Sequence, residues 1–533
     1  MSEQTANPKP GKAREQTRSW REAIRSCFHP RVISMLFLGF SAGLPLLLIF
    51  SSLSIWLREA EVSRSTVTYF SWAALTYSFK FVWAPLVDRL PLPFLTHRLG
   101  RRRGWLLLAQ VSIVGAVLFM AEHDPIHNLA ITAIGAVMLG FASATQDIVI
   151  DAYRIEAADN NLQAMMSSSY MAGYRIGMLM AGAGTLKLAS AFAGDDSGYN
   201  YTAWSMAYLC MAGLMGVGIL TTLLVPEPES NQQRSFSGVY DAQDYLRFLG
   251  LFILTAGVFI GSFLLFADLV AIAKDEMDAG PAGGFLLEAV RIAACVVIAL
   301  LAARLLIGMQ LVSRHMVHET YIAPFTDLFT RYGKTAFFIL VLVGSYRVAD
   351  IVMGAVANVF YNDMGYTKDQ IANIAKTFGL LMTIAGGFVG GVLAIRFGVL
   401  RMLWVGALLA AVTNLLFALI AGMAPRPMLL AVVIAADNLS GGAATAAFVA
   451  YLSGLTNRAF TAMQYAVFSS LMTLLPKLLA GYSGTMVDAL GYQTFFVVTA
   501  IMGLPVLALV SWIIRLERNR LLDEPDRKKE PLM

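Results

Sequence analysis

Two carboxylates lie inside a long apolar stretch, in the segment SATQDIVIDAYR. Asp147 follows Gln146 directly, and Asp151 comes four residues after Asp147, so both carboxylates lie on one face of a helix. A carboxylate in hydrocarbon is costly unless it faces the protein interior or a water-filled cavity. The spacing therefore favours a solute pathway, and a buried ion pair with a neighbouring helix is the alternative.

Charged residues recur within other apolar stretches: Lys80, Arg175, Arg347, Asp350, Lys376, Asp437 and Lys477. Together with the first two carboxylates they make five basic residues against four acidic ones. A slightly positive lining suits an anionic or zwitterionic solute better than a cationic one. Arg347 and Asp350 are also spaced to neutralise each other on a single helix.

The composition identifies the class of protein that positions these residues. The chain has 533 residues, of which 57% are hydrophobic and 14% charged, whereas soluble domains are about 45–50% apolar. Stretches of about 20 apolar residues predict an all-α polytopic membrane protein with about 14 transmembrane helices. The three cysteines are far apart, so we expect no disulfide framework, no metal and no cofactor.

The predicted spans divide the chain into two six-helix halves with two inserted helices between them. Residues 1–30 are predicted to be a disordered cytoplasmic tail, 31–226 the N-terminal half, and 335–516 the C-terminal half. Residues 227–334 form a linker with the two extra spans and an amphipathic surface segment, and 517–533 a cytoplasmic C-terminal tail. Lys and Arg are concentrated in alternate loops, starting with the N-terminal tail, which predicts that both termini are cytoplasmic.

An internal repeat marks the loop after the second span of each half. The first copy reads LVDRL followed by GRRRG, and the second reads GVLAIRFGVLR. Both resemble the loop signature of the major facilitator superfamily, although the second has Ile395 in place of the acidic residue. The resemblance implies the major facilitator fold and a gate formed by Asp88, Arg89, Arg101, Arg102, Arg103, Asp151 and Arg396, with the first copy as the main latch.

More specific motifs lie in both halves: LGFSAGLPL, FKFVWAPLVDR, SATQDIVIDAYR, GYRIGML, AKTFGLL, DNLSGGAATAAFVAYL and AFTAMQYAVFSSL. They resemble the AmpG muropeptide permease family of bacterial inner membranes. The resemblance implies proton-coupled import of GlcNAc-1,6-anhydroMurNAc peptides for peptidoglycan recycling, which feeds β-lactamase induction and antibiotic resistance. It also implies a cavity lined by spans 1, 4, 7 and 10 of the twelve core spans.

The same resemblance suggests roles for individual residues. Side chains predicted to bind the cargo are Lys80, Gln146, Asp147, Arg175, Arg347, Lys376, Asn438, Gln464 and Lys477. The proton is assigned first to Asp147, with Asp350 as the second choice. Expected partners are the anhydromuropeptide, protons and the lipid bilayer; nucleic acid is not expected, and the chain is expected to be a monomer.

Two alternatives stay open at this point. One is a major facilitator carrier of another anionic solute, such as acetyl-CoA or peptides, because the eukaryotic acetyl-CoA transporters share the lysine-aromatic-Pro-Asp pattern of span 2. The other is a membrane-embedded transferase. The six histidines all lie in loops or at span ends, and no phosphate-binding GxxxxGK[ST] loop is present, so we expect neither an enzyme nor an ATP-driven pump.

Overall fold

The computed structural model describes residues 25–62, 77, 79–158, 160–194, 199–228, 241–277, 281–367, 370–480 and 483–523. Within these ranges the regular structure is helical throughout. This is the expected solution for an apolar chain, because a helix satisfies its own backbone hydrogen bonds where no water can do so. The chain forms two compact units, of which the first holds both six-helix halves.

The N-terminal half contains six helical elements. They are α1 (Pro30–Glu59), α2 (Ala84–Arg89), α3 (Arg101–Ala121), α4 (Leu129–Ala157), α5 (Leu162–Ala193) and α6 (Tyr201–Leu224). A 3-10 turn at Lys80–Val82 precedes α2. Most of the predicted second span, Thr66–Val87, lies outside the described residues. A 3-10 turn at Ser26–Phe28 shows that ordered structure begins before the predicted boundary at residue 30.

The C-terminal half repeats this arrangement after the insert. Its helices are α10 (Thr335–Ala357), α11 (Asn373–Phe397), α12 (Val399–Ala421), α13 (Pro427–Leu455), α14 (Thr461–Ala480) and α15 (Met486–Leu516). The last helical segment, Leu504–Asp523, continues past the predicted start of the C-terminal tail at residue 517.

Twelve helices in the described part of the chain are long and apolar enough to cross a membrane. The predicted number is about 14. The second predicted span is largely undescribed, and α14 is helical but does not belong to the twelve.

Glycines allow close helix packing within each half. A Cβ on Gly39 or Gly43 of α1 would collide with the carbonyl oxygen of Tyr170 or Tyr174 of α5. A Cβ on Gly442 of α13 would collide with a carbonyl oxygen of α11 in the same way. Gly39, Gly43 and Gly442 therefore join helices inside one half rather than across the two halves.

The second unit comprises Asp88–Leu90 and Ser230–Gly333. Its helices are α7 (Gln243–Glu276), α8 (Val290–Gly308) and α9 (Ala323–Tyr332). The buried Arg291 of α8 lies over the ring of Phe263 and donates to the Phe263 carbonyl, so its charge has partners on a mainly apolar helix. In α9, Phe325 and Phe329 are exposed while Leu328 is buried.

Candidate functional site

The two halves of the first unit enclose a cavity of about 150 Å³. Its walls come from α5, α10, α11 and α13, and its polar lining residues are Ser168, Arg175, Arg347, Asp350, Thr383, Asp437, Asn438 and Thr445. Spans 7 and 10 contribute as predicted, in the form of α10 and α13. The expectation for spans 1 and 4 is wrong for the described lining, in which α5 and α11 take their place.

A break in α10 positions the central ion pair of the cavity. The helix is interrupted between Thr335–Ser345 and Val348–Asp363, and Arg347 caps the second segment. The Arg347 Nε donates to Asp350 Oδ2 over 3.1 Å, and Nη2 bonds the same oxygen. Nη1 donates to Thr445 Oγ1 of α13, also over 3.1 Å. The two charges therefore neutralise each other on one helix, as their spacing allowed.

Two further charges line the cavity on either side of this pair. Arg175 comes from the N-terminal half, and its Nε is buried with no hydrogen-bond partner. Asp437 comes from the C-terminal half and makes no ion pair within the described residues. Asn438 beside it is held by its neighbours, since Oδ1 accepts from the Thr383 hydroxyl over 2.7 Å and Nδ2 donates to the Ile434 carbonyl.

The floor of the cavity is closed by contact between α5 and α11. The Ser168 hydroxyl donates to the Gly387 carbonyl over 2.5 Å. One turn further along, a Cβ on Gly391 would lie 3.0 Å from the Ser168 Oγ and 3.4 Å from the Ala164 carbonyl oxygen. The two halves are therefore in van der Waals contact on this side of the cavity.

Beyond the floor lies the basic end of the unit, which we define by Arg101, Arg102, Arg103, Arg154 and Arg458. Arg154 is 1% exposed and donates to Gln163 Oε1 over 3.0 Å and to Ser453 Oγ of the other half over 2.8 Å. Arg458 adds a second hydrogen bond between the halves, to the Ala158 carbonyl. The basic end is therefore closed by charged groups as well as by packing.

Asp151 lies between two basic side chains, Arg154 on the same helix and Lys80 before α2. Asp151 Oδ1 lies 3.4 Å from Arg154 Nη2, and Asp151 Oδ2 lies 3.8 Å from Lys80 Nζ. Lys80 is 8% exposed. The structure thus brings together two predicted residues, Lys80 and Asp151, at the base of the N-terminal half rather than in the cavity.

A buried ion pair fixes the start of α3. The Arg102 guanidinium binds both oxygens of Glu156, over 3.0 and 2.5 Å, and the two side chains are 1% and 2% exposed. The Glu227 carboxylate accepts hydrogen bonds from the backbone amides of Arg102 and Arg103 over 2.8 and 3.0 Å, which caps the helix. Burial raises the pKa of Glu227 above its usual 4.5.

The predicted gating arginines therefore bond mainly within the N-terminal half. Arg103 donates to the Thr222 and Leu223 carbonyls at the end of α6, and Arg101 lies 3.9 Å from Glu156. Asp88 is buried, and Arg89 donates to the Glu319 carbonyl within the second unit. Arg396 has a buried Nε without a partner in the described chain.

Several residues predicted to bind cargo lie outside the described cavity lining. Lys376 and Lys477 are exposed. Gln464 is buried and accepts from the Asn457 amide over 2.8 Å, which orders the turn before α14. Gln146 is fully buried, and among the described residues neither polar atom of its amide has a hydrogen-bond partner. Asp147 accepts a hydrogen bond from Tyr170 over 3.3 Å.

Other residues of the site were not assigned a role from sequence. Asp437 was recognised as a charge inside an apolar stretch, which is the signal that marks it. Arg154 and Glu156 follow the acidic motif of α4 directly, but their partners Ser453 and Arg102 are distant in sequence. Among the described residues, no group of three or more His, Cys, Asp or Glu side chains is placed to hold a metal ion.

A comparison with protein families identifies the group to which this architecture belongs. The profile described as Major Facilitator Superfamily matches residues 65–326 and 335–532, which is most of the chain. The chain belongs to the Major Facilitator Superfamily. It is therefore a transporter and not an enzyme.

Curated relatives narrow the relationship within the superfamily. The "Putative transporter AmpG 4" of Rickettsia felis is 30% identical over 483 residues, covering 91% of this chain and 96% of the relative. The anhydromuropeptide permease of Escherichia coli K12 is 28% identical over 488 residues, covering 91% of this chain and 80% of the relative. This member of the superfamily is thus a secondary transporter related to the AmpG permeases.

A solved structure supports the fold assignment. The proton:xylose symporter XylE, bound to 6-bromo-6-deoxy-D-glucose, superposes with a TM-score of 0.54 at 14% identity. The match covers 92% of this chain and 95% of the symporter. At this identity the likeness extends to the fold alone.

Proposed function

We propose that this transporter imports anhydromuropeptides from the periplasm, in symport with protons, for peptidoglycan recycling. The observation that carries the proposal is a cavity between the halves in which Arg175 presents a guanidinium with an unsatisfied Nε, in a chain related to the AmpG permeases. A muropeptide offers several carboxylates to this guanidinium, and its sugar hydroxyls suit the neutral polar side chains of the lining.

Alternating access would move the cargo past the closed basic end. Sites for drug-sized ligands occupy about 300–1,000 Å³, so the cavity of about 150 Å³ must widen before a disaccharide peptide fits. We infer that the halves rock about the floor contacts and that the basic end faces the cytoplasm with both termini. In this proposal the chain crosses the inner membrane fourteen times. The twelve candidate spans of the described residues account for twelve crossings, and the second predicted span and α14 account for the other two.

Exchange across proteoliposomes tests the identity of the cargo without a driving force. Labelled anhydromuropeptide should exchange for unlabelled muropeptide, and acetyl-CoA should not compete. Truncating one partner of a buried charge pair costs about 2–5 kcal/mol. Arg175→Gln should therefore raise the muropeptide concentration that gives half-maximal exchange by at least about 30-fold.

Arg426→Gln is the matched control, because Arg426 is an exposed arginine of the same chain. It should exchange like the unmodified protein. Exchange of labelled acetyl-CoA with no exchange of muropeptide would refute the substrate assignment.

A further inference from the structure

Arg175 and Asp437 are the two cavity charges without an ion-pair partner. The Arg175 Nε is buried and makes no hydrogen bond, and Asp437 makes no ion pair with the described residues. They stand on different halves, Arg175 on α5 and Asp437 on α13. Any relative movement of the halves therefore changes the distance between them.

The ion pair of α10 lines the same cavity as these two residues. Arg347 and Asp350 neutralise each other, whereas Arg175 and Asp437 have no ion-pair partner among the described residues. A buried charge without a partner is stabilised when an external charge or a proton neutralises it.

Counting the charges shows what a proton would change. With both carboxylates ionised, the four charged side chains of the cavity lining carry two positive and two negative charges. Neutralising one carboxylate leaves a net charge of +1, which favours an anionic cargo. Asp350 already has the Arg347 guanidinium as its partner, and taking a proton there would break that pair. Asp437 has no such partner to lose.

We propose that Asp437 carries the transported proton and that its protonation raises the affinity of Arg175 for a carboxylate of the cargo. The proton is taken from the medium by a carboxylate oxygen of Asp437 and is released on the other side after the cargo leaves. This inference rests on the proposed proton-coupled import. It moves the proton from Asp147, which lies outside the described cavity lining, to a carboxylate that lines the cavity.

Titratable neighbours of Asp437 do not supply an alternative carrier. Arg347 and Asp350 face it from α10 as an ion pair, and Tyr361, further along the same helix, is also close. From α12 it meets the neutral Thr413. On α11 the basic side chains are Lys376, which is exposed, and Arg396, which lies near the C-terminal end of that helix.

Thermodynamic linkage makes the proposal measurable. If a bound proton raises the affinity for the anion, the bound anion must raise the affinity for the proton by the same factor. The muropeptide concentration that gives half-maximal exchange in the unmodified protein should rise by about 5- to 150-fold from acidic to alkaline pH. Asp437→Asn should exchange with the affinity seen at low pH, independently of pH, and should lose concentrative uptake. Asp488→Asn, which changes an exposed carboxylate of the same half, should behave like the unmodified protein.

If Asp147 carried the proton, the two variants would show the opposite pH dependence of muropeptide exchange. If Asp147→Asn abolishes the pH dependence while Asp437→Asn retains it, the proposal is overturned. A second measurement needs no variant: adding muropeptide to lightly buffered, detergent-solubilised protein should draw protons from solution, and binding without proton uptake would also overturn it. Failure of the proposed function is distinguishable, since the unmodified protein would then show no muropeptide exchange at any pH.

Discussion

The hydrogen bond between Arg154 and Ser453 offers the clearest perturbation of the closed basic end. Ser453 is 2% exposed and accepts from the guanidinium across the two halves, while its own hydroxyl donates to the Val449 carbonyl over 2.6 Å. Replacing Ser453 by alanine removes the contact between the halves and leaves Arg154 bonded to Gln163. Alanine also has a high helix propensity, so the substitution should not destabilise α13 itself.

The magnitude follows from the charge on the donor. A hydrogen bond to a charged group contributes about 1.5–3 kcal/mol. This bond crosses the halves only when the basic end is closed, so its loss raises the free energy of that state relative to the open one. Since about 1.4 kcal/mol corresponds to a tenfold change, the ratio of open to closed molecules should rise by about 10- to 150-fold.

Pulsed electron paramagnetic resonance between two spin labels measures that ratio. Arg98 and Arg401 are exposed near the basic end, one in each half, and accept labels in a cysteine-free background. Ser453→Ala should increase the population with the longer distance. Ser440→Ala is the matched control, because Ser440 lies on the same helix and donates only to the carbonyl four residues back. Identical distance distributions in the two variants would refute the reasoning.

Three further predictions concern packing and stability. Gly391→Val should abolish uptake, because even a Cβ would lie 3.0 Å from the serine hydroxyl of the facing helix, whereas Gly354→Ala, in open space, should not. Arg102→Ala deprives the buried Glu156 of its bidentate partner and should cost about 3–5 kcal/mol, measured as a lower melting temperature in detergent. Because burial raises the pKa of Glu227 above 4.5, the melting temperature should fall as pH rises through the raised pKa, and Glu227→Gln should remove that dependence.

The fold could be predicted from the sequence because its determinants are local. Apolar runs of membrane length and the concentration of arginines in particular loops are visible without tertiary information. The broken helix at Arg347 was not predicted: Gly344 and Ser345 directly precede the break, but such a pair also occurs inside unbroken helices. The close packing at Gly39 and Gly442 lies within each half, and only the structure shows which helix each glycine faces.

The site was harder to predict because depth in the membrane does not decide which way a side chain points. Arg175, Arg347 and Asp350 do reach the cavity, and Asn438 joins them. Lys376 is equally charged and equally embedded in an apolar stretch, yet it is exposed. The contact between Arg154 and Ser453 joins residues 299 positions apart, and no local pattern reveals such a partner.

Concentrative uptake by the unmodified protein tests the central claim most directly. Proteoliposomes with an alkaline interior should accumulate labelled anhydromuropeptide above its external concentration, saturably, and a protonophore should release the excess. Equilibration without accumulation would contradict proton coupling. Accumulation of acetyl-CoA with no uptake of the muropeptide would contradict the proposed cargo.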